Sequence, residues 1–190
     1  MPSRRTLAAG GVTTVVVLGA GVVIAVQAYG AAHRPHLDPA ARRLVPAIER
    51  YLSTPAAGTW AGSLAERHPG KARWYCAVDP IESRATASGL RVGLLADCAE
   101  YMRDGDRLVT DAGYASPLVV RLTRRGSGYV PANVQHPGDG TRFAWSVRRM
   151  FTRDGARAAQ RASADGAYPD PTPAARLGFG LPPAAPVVQG

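Results

Sequence analysis

One lysine (Lys71) and one asparagine (Asn133) occur in 190 residues, against 34 Ala, 22 Arg, 21 Gly and 16 Pro. That is the usage of a GC-rich coding sequence, in which arginine is simply the available cation. The formal charge of +9 is therefore weaker evidence for nucleic acid than its size suggests. Two cysteines exclude a disulfide-dense scaffold and a four-thiolate zinc site, and the composition is not that of a collagen, a coiled coil or a multi-span membrane protein. The four histidines (His33, His36, His68 and His136) match no zinc spacing, so no metal or other cofactor is expected. Asp104-Gly105-Asp106 lacks the spacing and distal glutamate of a calcium loop. No internal repeat is present.

Against these absences stands one long apolar run. Arg4 and Arg5 precede 27 uncharged residues, Thr6 to Ala32, which as a helix would exceed the roughly 30 Å of a bilayer's hydrocarbon layer. The expectation is a retained single-pass anchor over residues 6–32, within a segment 1–32. The alternative is a signal peptide cut near Ala28, at Val26-Gln27-Ala28 or Ala28-Tyr29-Gly30. Ser3-Arg4-Arg5-Thr6-Leu7 also resembles a twin-arginine export signal. Arg34, Arg42, Arg43 and Arg50 follow the run, so a simple count of cations would keep the carboxyl side in the cytoplasm. A short amino-terminal tail and a long following domain favour export instead, and the domain is expected outside the cell membrane.

Residues 33–161 read as an α+β domain. Asp38-Pro39 is a helix start, and Leu44, Ile48 and Leu52 share a helical face that Pro46 should kink or delay. From Arg73 the signals turn to β: Trp74-Tyr75-Cys76 is aromatic-rich, and Leu90, Val92, Leu94, Ala96 and Cys98 alternate with Arg91, Gly93, Leu95 and Asp97. Asp104-Gly105 signals a hairpin, after which Arg107–Thr110, Ser116–Thr123 and Gly128–Val130 continue the strand pattern, and Pro131 suits an edge or a bulge. Asp139-Gly140-Thr141 opens a second helical region with Phe143, Val147, Met150 and Phe151 as its apolar stripe. The order predicts a helix, an antiparallel meander of three to five strands and a helix, with helices on one face of a curled, cystatin-like sheet. Residues 162–190 are rich in Pro, Gly and Ala without periodicity and read as a disordered tail.

Cys76 and Cys98 fall on strands expected to be neighbours, and in an exported chain they are expected to form a disulfide. Two free buried thiols, or a thiolate activated by His68 or His136, are the alternatives; no CxxC or nucleophile motif supports the last. Asp79, Glu82, Asp97, Glu100, Asp104, Asp106 and Asp111 gather in the strand region and read as solvent-facing carboxylates, so no catalytic residue is assigned. Arg142, Arg148, Arg149, Arg153, Arg157 and Arg161 face only Asp154 within Thr141 to Arg161, making a basic surface of net +5.

Trp74-Tyr75-Cys76, Asp97-Cys98-Ala99-Glu100-Tyr101, Ser116-Pro117-Leu118-Val119-Val120 and Pro137-Gly138-Asp139-Gly140, followed by Phe143 and Phe151, resemble a set of small secreted or membrane-anchored proteins of Gram-positive, actinobacterial-type bacteria with no assigned function. The resemblance spans about residues 70–153. It implies an extracytoplasmic α+β domain with helices flanking a sheet, and it carries over no site residue. The arginine-rich region and the tail depart from the set.

Two readings follow. The first is a non-catalytic, membrane-anchored extracytoplasmic module that binds an envelope component: an anionic lipid, a cell-wall polymer or an envelope protein. The second is an enzyme, an envelope hydrolase or a thiol-redox protein using Cys76 or Cys98. A cytoplasmic nucleic-acid-binding domain requires reversed topology.

Overall fold

A computed structural model describes residues 37, 39–54 and 63–190. The expected anchor at 1–32 lies outside them, and among the described residues no helix is long and apolar enough to cross a membrane. Two short helices lead, α1 (Pro39–Arg43) and α2 (Val45–Leu52), with Pro46 in the first turn of α2. Proline there loses no helical hydrogen bond, so Pro46 delays the helix and splits it from α1. A further short helix, α3 (Ser63–Arg67), precedes the sheet.

Four long strands follow: β1 (Arg73–Thr86), β2 (Gly89–Asp104), β3 (Arg107–Arg125) and β4 (Gly128–Gln135). They pair antiparallel in the order β1-β2-β3-β4. The two runs expected at 107–110 and 116–123 are one strand, and the β2–β3 turn centres on Gly105-Asp106, one residue later than Asp104-Gly105, because Asp104 pairs with Arg107. Gly105 adopts φ +64°, where a residue with a Cβ is strained. Pro131 lies on the edge strand β4 beside an irregular pairing with β3. There its missing N–H costs least.

The helices pack on both faces of the sheet, not on one. On the first face Ile48 and Leu52 of α2 and Ala41 of α1 pack on Cys76, Val78, Val92, Leu94, Cys98, Leu118 and Val120. At the sheet's end on this side the fully buried Glu100 accepts from the backbone N–H groups of Leu64 and Ala65 at 3.0 and 2.9 Å, standing in for an N-cap of α3. On the second face lie α4 (Phe143–Met150) and α5 (Arg153–Asp165); their Val147, Met150, Ala156 and Ala159, with Phe151 between the helices, cover Val119. The expected single helical region is thus two helices. Phe151 is extended, and the Thr152 hydroxyl caps α5 by accepting from Gly155 N–H.

Residues 162–190 correct the expectation of disorder. After α5 stops at Gly166, in the left-handed region at φ +64°, the chain forms α6 (Thr172–Gly178) and a short strand β5 (Val187–Gln189). The fifth strand pairs parallel with Leu108–Thr110 of β3, so the sheet is mixed and not purely antiparallel. Ala175, Leu181 and Ala185 cover Tyr101 and Leu108, and the Arg103 and Arg176 side chains donate to the carbonyls of Phe179 and Ala185 at 3.0 and 2.9 Å. Such small apolar residues spaced by proline carry no periodic signal. Their order comes from a non-local surface.

Docking the tail has an electrostatic consequence. Burial, and then the charge of Asp170, push the Asp97 carboxyl above the ordinary carboxylate value. A carboxyl that holds its proton more tightly folded than unfolded adds stability when protonated, and this is lost as pH rises through the folded pKa. Asp97→Asn is therefore expected to raise Tm at pH 7 and to leave it nearly unchanged at pH 3. Thermal scans at the two pH values check this, and an Asn variant no more stable than the parent at pH 7 is the contrary result.

Candidate anion-binding cleft

A β-bulge decides what the second face presents at its α4 end. Along β1, Cys76, Val78 and Pro80 pair with Cys98, Ala96 and Leu94, the first-face residues of β2. Continued alternation would send Glu82 and Arg84 into the same apolar core. Instead the pairing shifts between Pro80 and Glu82: Ile81 is the extra residue, Ser83 pairs with Val92, and Glu82 and Arg84 turn to the second face. Arg84 then opposes Arg91, Arg91 opposes Arg121, and Arg121 opposes Asn133, in one row across four strands. Neighbouring strands are about 4.8 Å apart, so three guanidinium-bearing side chains stand side by side on one face.

This row floors a cleft of about 770 Å³, walled by α4 and the residues after it and lined by Glu82, Arg84, Arg91, Arg121, Asn133 and Arg149 among others. The size is that of a ligand cavity. Glu82 is the single carboxylate in the lining, and it is already engaged. It accepts from the backbone N–H of Thr152 at 3.1 Å and from the Thr152 hydroxyl, and it lies 3.9 Å from the Arg91 guanidinium. Glu82 thus occupies the amino end of α5, where a negative charge is favoured. Arg91 also donates to the Met150 carbonyl at the end of α4. Burial pulls Arg91 below the ordinary arginine value, Glu82 opposes the shift, and the charges of Arg84 and Arg121 add to it. Arg84, Arg121 and Arg149 are exposed and have no carboxylate partner among the described residues.

Like charges placed directly opposite one another on a sheet cost stability. A row of three, held open beside a cavity, breaks a local rule where a functional site is expected to break one. The chemistry such a site offers is recognition of phosphate, sulfate or carboxylate groups by guanidinium forks.

The residues expected from the sequence divide. Of Arg142, Arg148, Arg149, Arg153, Arg157 and Arg161, only Arg149 lines the cleft, and it stacks on the Trp145 ring at 4.7 Å. Arg153, Arg157 and Arg161 lie at four-residue spacing on α5, and Arg157 pairs with Asp154 at 3.1 Å. The basic surface is therefore two patches on two helices. No local signal in the sequence marks Arg84, Arg91 and Arg121, since each is a lone arginine in an arginine-rich chain. The turn signals bounding β1 to β3 could have aligned them, apart from the bulge.

Cys76 and Cys98 are directly paired across β1 and β2 and form the disulfide, buried in the first-face core. Both sulfurs are consumed by the bond, so the oxidised chain offers no thiolate nucleophile there. Burial keeps His136 below the ordinary histidine value despite Asp139, and its ring lies 6.1 Å from that of Tyr114. Among the described residues no group of His, Cys, Asp and Glu is arranged to hold a metal ion. No protein-family model matches the chain, and neither a curated protein nor a solved structure matches it.

Proposed function

We propose that the protein is a non-catalytic extracytoplasmic module, anchored through residues 6–32, whose arginine-lined cleft binds an anionic component of the cell envelope. The observation that carries this reading is the cross-strand row Arg84, Arg91 and Arg121 with Arg149, facing one carboxylate that is already engaged. In this reading the meander wrapped on α2 is a cystatin-like curled sheet used as a binding platform, and the disulfide keeps its register in an oxidising compartment. The resemblance to secreted and membrane-anchored Gram-positive proteins points to the same location.

The full chain, purified in a neutral detergent, is the material for the test. Arg84→Ser/Arg121→Ser is expected to elute from a heparin matrix at clearly lower salt than the parent, with an affinity reduced about tenfold or more, since charge-assisted contacts contribute about 1.5–3 kcal/mol each. Arg153→Ser/Arg157→Ser, which removes the same charge from α5 outside the cleft, is expected to change elution much less. Equal losses in the two double variants would reduce the cleft to nonspecific charge. A reporter active only outside the cytoplasm, fused after Gly190, tests the compartment; silence would favour a cytoplasmic, nucleic-acid-binding reading.

A further inference from the structure

Trp145 is 54% exposed, an unusual state for an indole, and it projects from α4 next to the cleft. The Arg149 guanidinium lies 4.7 Å from its ring centroid, and the same Arg149 lines the cleft. A half-exposed aromatic plate thus stands beside an arginine-floored cavity, joined to it through Arg149. We infer that the cleft takes an anionic glycan, with a sugar ring seated on Trp145 and its phosphate, sulfate or carboxylate groups on Arg84, Arg121 and Arg149. The inference rests on the anion-binding reading above and deepens it.

The pairing of groups selects this ligand class. A polyanion without rings would use the arginines and leave Trp145 idle. The apolar face of a pyranose ring packs on an indole, while the ring's charged substituents need the forked donors that arginine supplies. A lipid surface would use Trp145 as an interfacial anchor. Against that arrangement, Arg84, Arg91 and Arg121 line a concave cleft between sheet and helix, a shape that suits an inserted chain better than a planar layer of headgroups.

The test compares ratios of variant to parent affinity for three probes, with the full chain in neutral detergent: heparin, inorganic polyphosphate, and micelles doped with phosphatidylglycerol. Trp145→Ala is expected to weaken heparin binding about fivefold, on the scale of an aromatic contact, and to leave polyphosphate binding unchanged. Trp145→Phe is expected to keep most of the heparin affinity. Arg84→Ser/Arg121→Ser is expected to weaken both polyanions. Heparin binding that ignores Trp145→Ala overturns the proposal, as do equal losses on heparin and polyphosphate, or a loss confined to the doped micelles, which would mark a membrane anchor. A parent chain that binds neither polyanion refutes the anion-binding reading itself, and this proposal with it.

Discussion

Glu82→Ala is expected to lower folding stability by about 3–5 kcal/mol, read as a drop in denaturant midpoint at constant m value. Glu82 is 6% exposed and its carboxylate joins three elements: it accepts from Thr152 at the start of α5, neighbours Arg91 on β2, and packs against Gly155. Alanine leaves the half-buried Arg91 guanidinium without its counter-charge and the Thr152 N–H without its acceptor. Glu82→Gln keeps the shape and one acceptor oxygen, and its loss should be smaller. Gly155 supplies a second handle, because a Cβ there would overlap the Glu82 carboxylate. Gly155→Ala should cost about 1–3 kcal/mol alone, as overpacking does, and much less in the Glu82→Ala background, where the obstructing oxygens are gone. Additive losses in the double variant would show that the contact does not couple the two sites.

Removing the disulfide is expected to have the next largest effect. Cys76 and Cys98 are separated by 22 residues, and in the chain-entropy account closing a loop of that size contributes about 3 kcal/mol. The Cys76→Ala/Cys98→Ala variant also removes two buried sulfurs from the core between α2 and the sheet, so a loss at the upper end of the roughly 2–5 kcal/mol range is expected. Equilibrium unfolding of parent and variant measures it. Thiol labelling of the native parent without reductant should mark neither cysteine, and labelling of the unfolded, reduced chain should mark both. Elution from heparin under native conditions should be unchanged, because the bond lies on the face away from the cleft. A variant that keeps its stability but loses heparin binding would move function to the cysteines and favour the thiol-redox reading.

How far the chain could be read from its residues varies by element. Much of β1 to β4 was legible because alternation and turn chemistry act over a few residues: Leu90 to Cys98 face one core at every second position, and Gly105 and Gly126 sit in the turns before β3 and β4. The placement of Cys76 and Cys98 on neighbouring strands followed from the same pattern, and the pairing of β1 with β2 sets them directly opposite. The tail was not legible. Leu181 and Ala185 are ordered by Tyr101 and Leu108, and Leu108 N–H donates to the Pro186 carbonyl at 2.9 Å, contacts that no local window contains.

By itself the sequence determined a helix, a meander of strands and a cysteine pair on neighbouring strands, since apolar period, proline position and turn residues are short-range properties. Only the tertiary structure decided that helices cover both faces and that three arginines stand in one row. That row depends on an extra residue at Ile81, and a one-residue shift in a strand exchanges every later side chain between faces. The position of such a shift is set by pairing with β2 and by the seat that Glu82 finds at α5, 70 residues further along the chain. Each arginine alone is an unremarkable cation, and the cleft exists only once the register has placed them together.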